Sequence, residues 1–535
     1  MLTRTRTSRA RRASASPAQP GLILAAVALV QFMVSLDLSV VNVGLPRIAS
    51  GLGFSAVGLT WVINAYALTF GGLLLLGGRF GDIVGRRQAF MAGLAIFTLA
   101  SLAGGLATTS ATLLAARAIQ GVGGAIASPA VLAAIVTGFP EGRERVRALS
   151  IFTAVTMGGS SLGLVLGGMI VQWASWRWVF FINVPIGIAV IALAPRLLAS
   201  SRRQRGHFDA AGAITSTAGM SALVYAFITV ASHGWTNRIA LSSFVVAVLL
   251  LGAFLLIETR SSQPITPLWL VRDRSRAASY LARLLLVAGM FGSFFFLTQF
   301  VQEVLGFTPL AAGVAFVPMT AALFGMSRLA PRLVARFGPK PLMVAGLLPV
   351  VAGMTWLGQL SAGTTYFPGV VIPMLLLGTG MGVVFVPLTM ASLAGVPPKD
   401  SGSAASMVNV MQQVGGALGL AILVTIYGTA SRAAAAHPLL HATAAAQAQH
   451  VRVHGMAASF TAAAIFDAVA LIVIAALIRV RPAPAPAGRE QASTAPAGIE
   501  RAGSEQASSE QAGLRDLDTE KAELLAAEAA DAEVF

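Results

Sequence analysis

Apolar residues in this chain come in long unbroken blocks separated by short polar, arginine-bearing turns. A helix that crosses the hydrocarbon of a bilayer needs about 20 mostly apolar residues. Fourteen such blocks are found, centred on residues 21–44, 58–77, 88–107, 112–137, 148–172, 177–195, 209–230, 239–258, 279–301, 310–327, 341–360, 367–389, 404–429 and 456–478. The pattern predicts an all-α integral membrane protein. The first block is far longer than the roughly 7–15 apolar residues of a secretory signal and contains Asp37, so it reads as a retained first helix.

The arginines test the count, because Lys and Arg collect in cytoplasmic loops. With a cytoplasmic N-terminus, the inner segments carry Arg4–Arg12, Arg79, Arg86, Arg87, Arg143, Arg145, Arg147, Arg196, Arg202, Arg203, Arg205, Arg260, Arg272, Arg274, Arg276, Arg328, Arg332, Arg336 and Lys340. The outer loops carry Arg47, Arg177, Arg238, Arg432 and Arg452. An even number of spans then places both termini in the cytoplasm. Composition agrees: 56% of residues are hydrophobic and 11% charged, against roughly 25% charged in a soluble protein. The net charge of +16 is spread between apolar blocks rather than gathered on one face, so no nucleic-acid partner is expected. Without cysteine there is no disulfide and no thiol chemistry.

The second half repeats the first. Setting Gly338 against Gly85, an offset of 253 residues, aligns Pro331–Lys340 with Gly78–Arg87, with Ala335 in place of Asp82. Such parallel repeats place substrate sites near the bilayer midplane between two halves. The expected organisation is a basic N-terminal segment (1–20), a six-helix bundle (21–195), two inserted helices with their loops (196–276), a second six-helix bundle (277–480) and a disordered cytoplasmic tail (481–535).

Charged groups inside the spans are costly, about 2.5–3.5 kcal/mol on insertion scales, and mark functional sites. Asp37 and Arg117 are the clearest, with Gln120 one turn beyond Arg117. At 1.5 Å per residue they lie at similar depths, roughly 12 and 8 Å below the outer surface, so a direct pair is geometrically open. Asp467 in the last span is a second acid, either a proton or cation site or an acid at a wet edge. Gly159, Gly163, Gly167 and Gly168 give block five a small-residue seam suited to close helix packing. His437/His441 and His450/His454 stand at i, i+4 in the loop predicted before the last span, where an alanine-rich polar loop is expected rather than a metal site.

These stretches resemble the major facilitator superfamily, and within it the fourteen-helix drug:proton antiporters. Gly78, Arg79, Asp82, Gly85, Arg86 and Arg87 match the family's loop between helices two and three, Leu36–Pro46 its helix-one signature, and Arg117–Ala125 its helix-four motif. Block five is similar to the exporter motif, with Leu164 where the family has proline; Trp176–Gly187, Gln302–Gly313 and Asn409–Gly419 are similar to further family segments.

The resemblance implies a major facilitator fold of two six-helix bundles plus two inserted helices, in the cell membrane. It implies export of hydrophobic or cationic drugs by alternating access, driven by inward proton flow. Asp37 would exchange proton and substrate in a cavity between the halves, Arg117 and Gln120 would tune it, and the Gly78–Arg87 loop would latch the cytoplasmic side. The expected partners are a lipophilic small molecule, protons and the lipid bilayer, with the protein acting as a monomer. No cofactor or metal is expected; the proton gradient supplies the energy, and no nucleotide-binding Gly-x-x-x-x-Gly-Lys loop is present. A dedicated exporter of one metabolite or antibiotic, a proton-coupled importer and a transport-inactive receptor or scaffold are the alternatives. An enzyme is disfavoured because the histidines lie outside the predicted spans.

Overall fold

The computed structural model describes residues 20–55, 57–139, 143–197, 210–260, 269–396, 401–438 and 443–478; the expected N-terminal segment and C-terminal tail lie outside them. An α-helix falls on each of the fourteen apolar blocks. In chain order they are α1 (Pro20–Leu52), α2 (Trp61–Val84), α3 (Arg86–Gly105), α4 (Ser110–Gly138), α5 (Arg143–Trp173), the broken pair α6 (Trp178–Phe181) and α7 (Asn183–Leu197), α8 (Ala210–His233) and α9 (Arg238–Arg260). A short α10 (Trp269–Arg272) leads into α11 (Arg274–Gln299), then α12 (Pro309–Ala315), α13 (Val317–Phe337), α14 (Pro339–Leu357), α15 (Val371–Leu393), α16 (Ser401–Ala436) and α17 (Ala444–Leu477). Among the described residues, eleven spans are long and apolar enough to cross a membrane; this is a multi-pass membrane protein.

The internal repeat appears in the packing. In the first half α1 lies along α5, α4 along both α2 and α3, and α7 on α3; in the second, α11 lies along α16, α15 along both α13 and α14, and α17 on α14. The pattern is the same twice. Glycines allow the close approaches: Gly93 of α3 and Gly123 of α4 face each other so tightly that a Cβ on either would sit 2.7 Å from the other's carbonyl oxygen. The inserted pair α8 and α9 packs side by side, with α8 against α2 of one half and α16 of the other. A small crevice remains there, lined by Gly71, Gly72, Thr217, Leu251, Phe254 and Val410 among others.

The structure corrects four boundary expectations. The stretch predicted as a charged turn is helical, α2 running on to Val84, and the turn is one residue: Gly85, with φ 109°, a value that favours glycine. Its repeat partner Gly338, with φ 82°, breaks α13 from α14 in the same way. Block six is broken between Phe181 and Asn183 because Pro185 cannot donate to the carbonyl one turn back. Block ten is likewise divided into α12 and α13 at Phe316. The loop expected before the last span is largely helix: α16 extends to Ala436, and α17 starts at Ala444, where the Thr443 side chain accepts from the Ala446 amide. Alanine is the strongest helix former, which outweighs the polarity of this stretch. His450 and His454 therefore lie on α17, their rings 6.0 Å apart; His441 is outside the described residues, and no metal-holding group of three or more ligands occurs among those described.

Candidate functional site

Asp37 sits midway along α1 with no exposed surface. Arg117, in the second turn of α4, places Nη1 2.6 Å from Asp37 Oδ2, and Gln120 Nε2 donates to Asp37 Oδ1 at 2.8 Å. The i, i+3 spacing of Arg117 and Gln120 puts both on one face of α4, and Arg117 Nη1 also donates to Gln120 Oε1 at 2.7 Å. A third donor, Asn183 Nδ2, reaches Asp37 Oδ1 at 2.9 Å from the first residue of α7. The helix break imposed before Pro185 delivers it there.

Secondary contacts fix the guanidinium. Arg117 Nε donates to the Val62 carbonyl of α2 at 2.8 Å, and the group lies 4.6 Å above the ring of Tyr66 and 5.9 Å from that of Phe180, distances suited to cation–π attraction. Gln120 Nε2 also donates to Ser101 Oγ of α3 at 2.9 Å. Asp37, Arg117, Gln120, Asn183, Tyr66 and Ser101 are all at most 1% exposed. The carboxylate accepts hydrogen bonds from three side chains, those of Arg117, Gln120 and Asn183.

The expected cavity between the halves is not where this carboxylate lies. Every polar partner of Asp37 belongs to the first half, and the cluster is closed in by α1, α2, α3, α4 and α7. Asp467 does not join it: this residue faces Gly289 of α11 from α17, fully buried, and neither carboxyl oxygen has a hydrogen-bond partner. Of the latch loop, Gly78 lies over Pro129 of α4 and Gly81 over Ala89, while Arg86 and Arg87 open α3. The side chains of Arg79 and Asp82 lie outside the described residues.

The glycine seam of α5 packs as its spacing predicts. Gly159, Gly163 and Gly167 face Ser35, Ser39 and Val40 of α1, and α5 runs through Leu164 without interruption. Gly168 turns the other way, toward the second half: a Cβ there would be 2.5 Å from the Pro309 carbonyl oxygen of α12. Reciprocally, a Cβ on Gly313 of α12 would run into the carbonyl oxygen of Leu164. Gln302 Nε2, donating to the Val43 carbonyl at 3.0 Å, and Gln172 Oε1, accepting from the Leu310 amide at 3.2 Å, join the halves at the same end.

Asn183, Ser101, Tyr66, Gly313 and the Val62 carbonyl were not singled out as functional from sequence. The signal for Asn183 was available: an asparagine two residues before a proline inside an apolar block. Asn183→Ala removes one donor from a buried carboxylate, and a loss of about 1–3 kcal/mol in stability is expected, read as a fall in melting temperature of the purified protein.

A family model for the Major Facilitator Superfamily matches residues 27–420 of this chain. The chain is 40% identical over 459 residues to the "Puromycin resistance protein pur8" of Streptomyces alboniger, covering 85% of this chain and 90% of that one. It is 39% identical over 436 residues to the "Cephamycin export protein CmcT" of Amycolatopsis lactamdurans, covering 81% and 89%. Among solved structures, a bacterial homologue of the human lysosomal transporter Spinster, crystallised inward-facing and unoccupied, superposes with a TM-score of 0.62 at 15% identity, covering 87% of this chain and 99% of that one.

Proposed function

The chain belongs to the major facilitator superfamily, and from that premise and the buried Asp37–Arg117 cluster we propose that it is a proton-coupled efflux antiporter. In this reading fourteen helices cross the cell membrane, both termini are cytoplasmic, and a single copy exports lipophilic compounds by alternating access, without cofactor. The resistance and export named for the two relatives support the direction of transport.

The observation that carries the coupling is the closed charge balance around Asp37. A proton placed on Asp37 would leave Arg117 buried and without its counter-charge, and an unbalanced buried charge costs several kcal/mol. Protonation therefore cannot be local. The guanidinium must rearrange, and with it α4 and the α2 carbonyl it holds. With α1 running outward, the contacts of α5 with α12 close the outer end, and Asp37 is paired with Arg117 in that closed state. In the second half a narrow apolar crevice lined by Met290, Phe294, Phe316, Met319 and Met381 among others would have to widen in the cycle to take substrate. Methionine and phenylalanine accommodate varied flat rings.

Asp467 is the second proton site of this proposal. A carboxyl buried among apolar side chains with no donor and no counter-ion is tolerated as the neutral acid. If it exchanges that proton during the cycle, Asp467→Asn lowers the protons moved per substrate while leaving substrate binding intact. An acid that is merely buried would leave the stoichiometry unchanged.

The antiporter reading is tested in everted vesicles carrying an imposed proton gradient, to which puromycin, ethidium and other lipophilic cations are added. Collapse of the gradient by several of them, absent in vesicles lacking the protein, is the expected result. Collapse by one compound alone would favour a dedicated exporter, the reading suggested by relatives each named for a single compound. No response to any would contradict proton antiport of these compounds.

A further inference from the structure

The second half contains a buried cationic stripe that the proton cluster does not use. On α11, Arg276, Tyr280 and Arg283 recur at i, i+4 and i+7, and so share one face of the helix. Arg276 is 8% exposed and Arg283 3%. Arg283 Nη2 donates to Thr389 Oγ1 of α15 at 2.5 Å, and Nη1 lies 3.5 Å from Gln412 Oε1 of α16. The guanidinium stands 5.6 Å from the Phe385 ring, while Arg276 stands 5.1 Å from that of Trp269. Tyr280 spends its hydroxyl on the Ser392 carbonyl at 3.2 Å.

What these arginines lack is an acid. Arg117 in the first half is balanced by Asp37 at 2.6 Å, whereas neither Arg276 nor Arg283 has a carboxylate within ion-pair distance among the described residues. Three of their N–H-bearing atoms, Arg276 Nε and Nη1 and Arg283 Nε, are buried with no partner at all. Buried guanidinium groups are ordinarily paired, and their planar fork matches a carboxylate.

We propose that Arg276 and Arg283 form a binding site for the carboxylate of an organic anion, with Thr389 and Gln412 as neutral neighbours, so that the substrates include acids as well as the cations and neutral compounds expected from sequence. The proposal rests on the efflux reading for its biological purpose, but not for its test. Arg283 lies about two helical turns further along α11 than Arg276.

The test is binding to the purified protein in phosphatidylcholine nanodiscs, followed by tryptophan fluorescence, with benzylpenicillin and its uncharged methyl ester as a matched pair. The acid is expected to bind at least about tenfold more tightly than the ester, the scale of one charge-assisted hydrogen bond. Arg283→Gln is expected to erase that preference, and Arg283→Lys to retain part of it. Melting curves of both variants establish that they are folded, and Gly252→Ala, where an added Cβ meets nothing within 4 Å, is expected to bind the acid as the wild type does. Equal binding of acid and ester, or a preference that survives Arg283→Gln, would overturn the proposal. So would stabilisation by added phosphatidylglycerol with no effect of benzylpenicillin, which would make the stripe a lipid-headgroup site. A failure here leaves the vesicle result untouched, and failure in the vesicles leaves this one untouched, since no gradient is involved.

Discussion

Asp37→Asn is expected to remove the Asp37 share of substrate-dependent proton movement and also to destabilise the protein, because it strands Arg117 in a site that is 1% exposed. Breaking a buried ion pair by removing one partner costs about 3–5 kcal/mol, most of it the penalty of the charge left behind. That origin makes a double-variant cycle informative. Arg117→Gln should be comparably damaging alone, leaving Asp37 with only Gln120 and Asn183. Combining the two should recover most of the lost melting temperature, since no unbalanced charge then remains. Coupling should not recover, because the double variant has no carboxyl at this position to carry a proton. Stability and coupling thus separate, which a purely structural role for the pair would not produce.

The second large effect is expected at the junction of the halves. Valine at Gly313 would press against the Leu164 carbonyl, and valine at Gly168 against that of Pro309. Overpacking costs about 1–3 kcal/mol, and here the cost falls only on the state in which the two halves touch. At 1.4 kcal/mol per tenfold change, the closed-outside state should lose about tenfold to a hundredfold in population. The chain has no native cysteine, so Leu164→Cys, at a position 3% exposed, can report the gap directly. Its labelling by a membrane-impermeant maleimide should be slow in the parent and fast when Gly313→Val is added, with transport lost in parallel. Gly252→Ala, where an added Cβ meets nothing within 4 Å, should change neither.

What could be read from the sequence divides along physical lines. Asp37 and Arg117 stand out as charges inside apolar blocks at similar depth, which leaves a direct pair open; that their faces meet is a matter of how α1 and α4 pack. Asn183 does not stand out, because its role depends on a helix break that Pro185 creates within what reads as one continuous span. Glycine spacing showed that α5 had a packing face, and Gly159, Gly163 and Gly167 use it against α1. That Gly168 faces the opposite half follows only from how the two bundles meet. The segment before the last span misled because polar alanine-rich sequence resembles a loop in hydropathy while favouring helix in backbone energetics. Arg276 was read as a loop charge and Arg283 was passed over inside a span; their common face needs the start of α11 to be known.

The central claim, that Asp37 gives up or takes the coupled proton, is tested most directly by proton release. Purified protein in weakly buffered solution with a pH indicator is mixed with ethidium or puromycin. Wild type is expected to exchange protons with the solution on substrate binding, and Asp37→Asn to bind the same compound with a clearly smaller proton signal, that of Asp467 alone. A proton signal of equal size from the Asp37→Asn variant would place the coupling elsewhere and contradict the account.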